Sequence, residues 1–533
     1  MADNVSRILS GFNGVHSARL FRRAMIAVVC VAVAASFWIG LARGLADSVG
    51  LASWGRILFG AGAAITKMAH GGYGYTISEV VEGLLAQGGL TSDPAILSKL
   101  GTTFPDNLKD PALINAAFDK AAHFKLPFDP TVNVRGSSGD DVGFVDFTRI
   151  GFRLFGYKIQ SLYFTYFLIL GVSLAAFVYQ FRERAVPLAI LATVTVAQTV
   201  LFSSGLLDTQ RLGMIGDPRF LSTLAVVPGL HLAYLMLDRV EPSDRGLALA
   251  GAQSIILVFI LHVRVSAVWI LLGLVLIGAV VSIQELRKRR FAPIWLWSLG
   301  ILAAVLYMQS FYVSATLHPV YRAKGEITRH VLWHAVFYSL QFHPDWKAKY
   351  AARFDNTAYD ELPPTAAKQY LLRHPPADPR AVYLTEDRKY LKMAAAETYI
   401  RKAFIEFAAS DPKFAFEAVF IYNPLKIGRV LLDLTLSLGR FTALAWMALG
   451  ALAIGVAGLI AADGGRYRGY AWGAALVAGA FCVSLGPLIP TAPDYNTMAD
   501  QFFLLLAALG CLCVLALATG LRACLRPASG HAA

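Results

Sequence analysis

The sequence predicts an all-α polytopic membrane protein. Three observations predict it. Only 16% of the residues are charged, while 56% are hydrophobic; a soluble domain carries about 25% charged residues. Apolar runs of about 20 residues, enough to cross a bilayer as a helix, recur along the chain. Basic residues gather in alternate connections, the pattern of cytoplasmic loops. Together these predict about ten transmembrane helices joined by two long extracytoplasmic loops carrying amphipathic helices.

The polar segment 1–23 ends in Arg19, Arg22 and Arg23 and is read as a cytoplasmic N-terminus. A first span at 24–42 follows. Ala32-Val33-Ala34 resembles a signal-peptide cleavage site, but Phe37, Trp38, Ile39 and Leu41 continue the apolar run, so it reads as an uncleaved anchor. The N-terminal transmembrane module covers 24–313 and includes an outer loop at 45–158. Within that loop, Trp54 to Met68 is apolar, short and interrupted by Arg56 and Lys67, which suggests a helix lying on the membrane. Residues 90–133 are rich in Pro, Asp and Lys and suggest a small solvated subdomain.

Spans are then expected at 160–180, 186–206, 219–237, 247–262, 266–284 and 292–313. Arg182 and Arg184, Arg239 and Arg245, and the run Arg287 to Arg290 all fall on the expected cytoplasmic side. A second extracytoplasmic loop occupies 314–428. A helix is expected from Asp387 to Ala409, ended by Asp411-Pro412, and Ile427 to Leu438 reads as interfacial. C-terminal transmembrane helices fill 429–522, with spans at 441–461, 469–490 and 501–521. Residues 523–533 form a cytoplasmic tail, so both ends lie inside.

The composition narrows function. The net charge of +13 is that of cytoplasmic loops and lipid contact. No nucleic-acid-binding motif and no P-loop appears. Four of the five cysteines (Cys30, Cys482, Cys511 and Cys513) lie in apolar runs and Cys524 lies in the tail, so neither long loop is held by disulfides.

The stretch most able to carry chemistry runs from Arg135 to Gly156. Asp140 and Asp141 follow the turn-forming Gly136-Ser137-Ser138-Gly139. From Val142 to Phe155, Asp146, Arg149 and Arg153 recur at helical spacing and share one face. A helix is expected here along the membrane surface. Two roles for the acidic pair are compatible: one aspartate caps the helix, and the other acts as a general base.

This arrangement resembles the GT-C superfamily of membrane glycosyltransferases, which includes the protein mannosyltransferases and the lipid A aminoarabinose transferases. The resemblance covers roughly the first 430 residues as topology: a first span, an outer loop with an acidic pair before an amphipathic helix, and a second long outer loop. At the level of residues it rests on Asp140-Asp141. The chain departs in its longer first loop and in carrying Asp where the mannosyltransferases commonly have Glu, which is closer to a bacterial branch of the superfamily. The resemblance implies a bacterial inner membrane enzyme with a periplasmic active face. It would transfer a sugar from a polyprenyl-phosphate carrier, the donor substrate, to a glycan, lipid or protein acceptor. Asp140 or Asp141 would be the base. No cofactor is required by this reading, although a divalent cation could assist.

A phosphate leaving group needs positive charge where its negative charge develops. Arg211 and Arg219 flank Asp217-Pro218 in one outer turn, and Arg264 sits in the tight turn after His262. Pairing with Asp208 and Asp217, or snorkelling to the headgroups in the case of Arg264, is the plainer account of each. In the second loop, Tyr321, Arg322, Lys324 and Trp333 suit sugar stacking and phosphate contact or, equally, anchoring at the membrane surface. His330 and His334 share a helical face, but no His-Glu-x-x-His pattern accompanies them and no metal is assigned. Two other classes remain open: a transporter or flippase of lipid-linked or sugar substrates, and a non-enzymatic envelope assembly protein. The first would need charged residues in mid-span; few are evident.

Overall fold

The computed structural model describes residues 14–42, 57, 60–65, 68, 111–123, 142–203, 218–238, 243–287, 293–316, 332–357, 361–383, 391, 393–429, 467–484, 486, 490 and 491. Among these residues the chain is all-helical, with a single isolated bridge between Tyr383 and Leu391 and no strand. Three helices, Gln160–Phe181, Asp244–Val263 and Ala267–Arg287, are long and apolar enough to cross a membrane. Shorter apolar helical segments lie at Val186–Val196, Ser222–Leu237, Leu299–Ala315 and Ala475–Ser484. The expected spans at 441–461 and 501–521 lie outside the described residues.

The helices that matter for the site are α1 (Gly14–Ala42), α2 (Pro111–His123), α3 (Val142–Phe155), α4 (Gln160–Phe181), α5 (Ala185–Ser203), α6 (Val226–Asp238), α7 (Asp244–Val263), α8 (Ile270–Arg287) and α9 (Pro293–Thr316). The second loop supplies α10 (Leu332–Ser339), α11 (Leu362–Arg373), α12 (Met393–Ser410) and α13 (Pro412–Glu417). The last described helix is α14 (Tyr467–Ser484). With 22 residues, α4 extends about 33 Å, close to the thickness of a bilayer's hydrocarbon core.

Two ends of the bundle can be told apart by their contacts. At one end Arg22 near the start of α1 pairs with Glu183, just after α4, at 3.2 Å. At the other end the Ser36 hydroxyl of α1 donates to Thr199 of α5 at 3.0 Å, and Tyr163 at the start of α4 donates to the Ser36 carbonyl at 3.2 Å. Helices α1 and α5 therefore run side by side in the same direction, antiparallel to α4.

Helix α3 ends where Gly156 adopts φ +85, a left-handed conformation that suits glycine. Its N–H still donates to the Phe152 carbonyl at 2.9 Å. The chain turns at once into α4, whose first turn is held from α2. Asn115 accepts from the Ile159 N–H at 2.8 Å and donates to Gln160 at 2.9 Å. These contacts satisfy backbone and side-chain groups that a helix start leaves open.

The apolar stretch near residue 60 does not conform to the surface reading. Ile57, Ala61, Ala64 and Ile65 are at most 1% exposed and belong to the main core with α3, α4 and α7. Small side chains there admit close packing, and an aromatic edge of Phe144 lies directly against Gly60.

The second loop has its own core. Phe337, Trp346, Phe354, Phe407 and Phe414 pack together from α10 to α13, with Trp346 stacked on Phe354 at 5.6 Å between ring centroids. Burying each such ring contributes roughly 1.5–3 kcal/mol. Helix α12 ends at Ser410, in agreement with the expected break, because Asp411 caps α13 and Pro412 begins it.

Candidate functional site

A polar cluster lies at the end of the bundle where α3, α7 and α9 converge, opposite the Arg22–Glu183 end. Asp146 is its centre and is only 3% exposed. One carboxylate oxygen lies 3.2 Å from Arg149, and the other lies 3.2 Å from His262 Nε2. The Tyr312 hydroxyl donates to both oxygens at 3.3 Å. Arg149 in turn donates to Tyr312 at 3.2 Å. Gln309 Nε2 lies 3.1 Å from His262 Nδ1. With the Gln309 amide donating there, the ring proton sits on Nε2 and points at Asp146.

Local sequence places each group. Asp146 and Arg149 are three apart on α3, and Gln309 and Tyr312 are three apart on α9, so each pair shares a helical face. His262 occupies the last turn of α7, which Ser243 caps at the other end through a 3.1 Å bond from the Gly246 N–H. Gly143 sets the approach of α3 to α7: a Cβ there would overlap the His262 carbonyl and the Val263 nitrogen. A buried carboxylate is tolerable in this setting because cations and donors surround it.

The bounds of α3 agree with the sequence reading, and its polar face turns inward at Asp146. Leu154 and Phe155, in contrast, are exposed along with Arg153. The partners Asp146 finds on α7 and α9 explain the difference.

Arg149 carries a further feature. Its Nε–H is buried and has no hydrogen-bond partner, while its terminal nitrogen serves Asp146 and Tyr312. An anion reaches this unused donor only when the packing over it opens.

Of the residues singled out in the sequence, Arg264 follows His262 by two positions, caps α7, and is 5% exposed, so it does not snorkel to the surface. Trp333 and His334 belong to the second loop. The Trp333 ring packs against Phe404 at 5.6 Å, and its backbone N–H donates to Glu397 at 2.9 Å, so its indole is part of that core. Asp140, Asp141, Arg211, Tyr321, Arg322, Lys324 and His330 lie outside the described residues. Arg219 lies within a single helical turn, Pro218–Leu221, and only its backbone is described. Among the described residues, no group of three His, Cys, Asp or Glu side chains forms a metal site.

Sequence reasoning did not name Gln309, Tyr312 or His262 as site residues. The usable signal was a polar pair at helical spacing in an otherwise apolar span, and a histidine at the end of another.

A second buried polar chain crosses the bundle at mid-depth. The Ser173 hydroxyl donates to Gln253 at 2.8 Å, the Gln253 amide donates back to the Ser173 carbonyl at 2.8 Å, and it lies 3.3 Å from His231 Nδ1. These residues sit near the middles of α4, α7 and α6. Phe177 and Phe181 flank the His231 ring edge-on, with centroids at 5.7 and 5.2 Å.

No family model matches the chain, and no curated protein or solved structure matches it either.

Proposed function

We propose that the chain is a membrane glycosyltransferase of about ten spans with both termini cytoplasmic, working at the outer face of a bacterial inner membrane. Its donor is a polyprenyl-phosphate sugar. Asp140 or Asp141 takes the proton of the acceptor hydroxyl as that oxygen attacks the anomeric carbon. The bond from that carbon to the phosphate oxygen breaks, and the carrier phosphate leaves with the electron pair, which inverts the anomeric centre.

The observation that carries this reading is Arg149. It lies eight residues beyond Asp141 on the helix that follows the acidic pair, and its Nε–H is buried and unpartnered. A leaving phosphate needs such a preorganised donor in a site of restricted water. Asp146 and Tyr312 hold the guanidinium in place. The Asp146 carboxylate already accepts from His262, Arg149 and Tyr312, so it suits positioning better than proton abstraction.

The test is transfer in membranes supplied with a polyprenyl-linked sugar. Asp140→Asn or Asp141→Asn is expected to stop transfer while leaving the protein folded. Arg149→Lys is expected to lower it, because an ammonium cannot reproduce the fork. Normal transfer by the Asp140→Asn/Asp141→Asn double variant sinks the proposal.

A transporter of lipid-linked or sugar substrates is the second reading, favoured by the Ser173–Gln253–His231 chain. Buried polar groups at mid-membrane commonly mark a substrate or proton path. In proteoliposomes, loss of uptake in His231→Phe with transfer intact would support it.

A further inference from the structure

Helix α13 does not stop at Glu417. It passes through a π-helical turn, Ala418–Tyr422, and continues as α-helix over 423–429. One side of this continuous helix faces the core of the second loop: Phe414, Ala415, Ala418 and Val419 are buried there. The other side is exposed and apolar. Phe416 and Phe420 are each 58% exposed, and Ile421 and Leu425 join them. The π turn adds a residue to the helical repeat, which keeps Phe420 and Ile421 together on the stripe that Phe416 starts and Leu425 continues. The rings of Phe416 and Phe420 lie 5.2 Å apart.

We propose that this stripe lies in the outer leaflet of the bilayer and seats the second loop on lipid. Three observations argue for lipid as the occupant. Ile427, at the end of the same helix, packs against the core of the membrane bundle, so this end of the helix adjoins the bundle. Basic groups border the stripe: Lys413 and Arg429 are exposed at its two ends, and Lys426 reaches over the Phe342 ring. The acidic residue on the helix, Glu417, is half-buried and lies within 3.7 Å of His343 and 3.9 Å of Lys413, so its charge is offset at that end of the border. An apolar face whose border carries Lys413, Lys426 and Arg429 against the single partly buried Glu417 matches the acyl and headgroup layers of an anionic membrane. Of the expected interfacial segment at Ile427 to Leu438, residues 430–438 lie outside the described residues. This inference rests on the proposed placement of the second loop outside the cytoplasm and does not depend on the transferase reading.

The test uses the full-length protein in vesicles of phosphatidylethanolamine and phosphatidylglycerol. A photoreactive p-benzoylphenylalanine is placed at Phe420 or Leu425, with Lys402, exposed on α12, as the control position. Both stripe positions are expected to give lipid adducts by mass spectrometry, and the control to give none. A second measurement attaches a spin label at residue 416 in a chain whose native cysteines are replaced. Its accessibility to oxygen relative to a nickel chelate is expected to exceed that of a label at 402 several-fold. Adducts to protein alone, absence of lipid adducts at both stripe positions, or equal oxygen-to-nickel accessibility at 416 and 402 overturns the proposal in favour of a partner protein, a second copy or a solvated face.

Discussion

Asp146 Oδ2 and His262 Nε2 lie 3.2 Å apart, although 116 residues separate them in the chain. The contact ties α3, which follows the acidic pair in sequence, to the C-terminal end of α7. Both side chains are buried, so the pairing is shielded from solvent screening and sets the position of α3 within narrow limits.

Asp146→Ala is expected to destabilise the protein by about 3–5 kcal/mol, because Arg149 loses the charge that compensates it and His262 loses its hydrogen-bond acceptor. Asp146→Asn should cost less, since an amide oxygen still accepts from Tyr312. Thermal unfolding in detergent checks the order. Within the proposed function, both variants should also lower transfer more than they raise the KM for acceptor, because Arg149 is displaced and the acceptor site is left alone. An Asp146→Asn variant as stable as the parent would count against a charge-based role for Asp146.

Gly143→Ala probes the same junction sterically. The added methyl meets the backbone of His262 and Val263, which cannot rotate aside, so a cost of about 1–3 kcal/mol is expected. Gly171→Ala in α4 is the control: nothing lies within 4 Å of a Cβ there, and little or no loss is expected. Melting temperatures of the two variants, measured side by side, separate local packing from a general intolerance of substitution.

The helices of the bundle were legible because a span is written locally, as a run of apolar residues. Expected boundaries at 160–180, 186–206 and 247–262 lie within a few residues of α4, α5 and α7. The α3 periodicity was equally local. What the pattern could not reveal is where the shared face of Asp146 and Arg149 points, since amphipathicity identifies neighbours on a helix and not their partners. His262 and Tyr312 complete the cluster from distant spans, a matter of tertiary packing. The segment around Ile57 and Ala61 was misread for a related reason: a short apolar stretch between Arg56 and Lys67 suits a membrane surface and a protein interior alike.

In the second loop, Tyr350 donates to Asp411, and each shifts the titration of the other. Partial burial and this hydrogen bond push Tyr350 up to about 12 from 10.0. The bond from Tyr350, with that from the Phe414 N–H, holds Asp411 below its ordinary 3.8. For Tyr350, whose folded value is raised, the stabilisation is complete below pH 10.0 and fades as pH rises toward 12. For Asp411, whose folded value is lowered, it is present above pH 3.8 and is lost as pH falls through the folded value. Tyr350→Phe is therefore expected to lower stability by about 1 kcal/mol between these limits, with Asp411 partly exposed to solvent, and to converge with the parent outside them. A melting-temperature series against pH, in both proteins, reads this out.

Glu397 of α12 reaches the start of α10, where it accepts the Trp333 N–H at 2.9 Å. It thereby satisfies a donor that the first turn of a helix leaves open and places negative charge at the positive end of its dipole. Burial nevertheless raises its carboxyl above the ordinary 4.5, outweighing the opposing backbone hydrogen bonds from Trp333 and His334. A raised folded value means that its contribution is greatest below pH 4.5 and is lost as pH rises from there through the higher folded value. Glu397→Gln keeps an acceptor for Trp333 and removes the buried charge, so at neutral pH it should match or exceed the parent in melting temperature, with the difference vanishing in acid. Glu397→Ala removes the acceptor and leaves the N–H unsatisfied, at a cost of about 1–3 kcal/mol. If the glutamine variant instead falls as far as the alanine variant at pH 7, the negative charge itself supports α10, and the dipole interaction outweighs desolvation at this site.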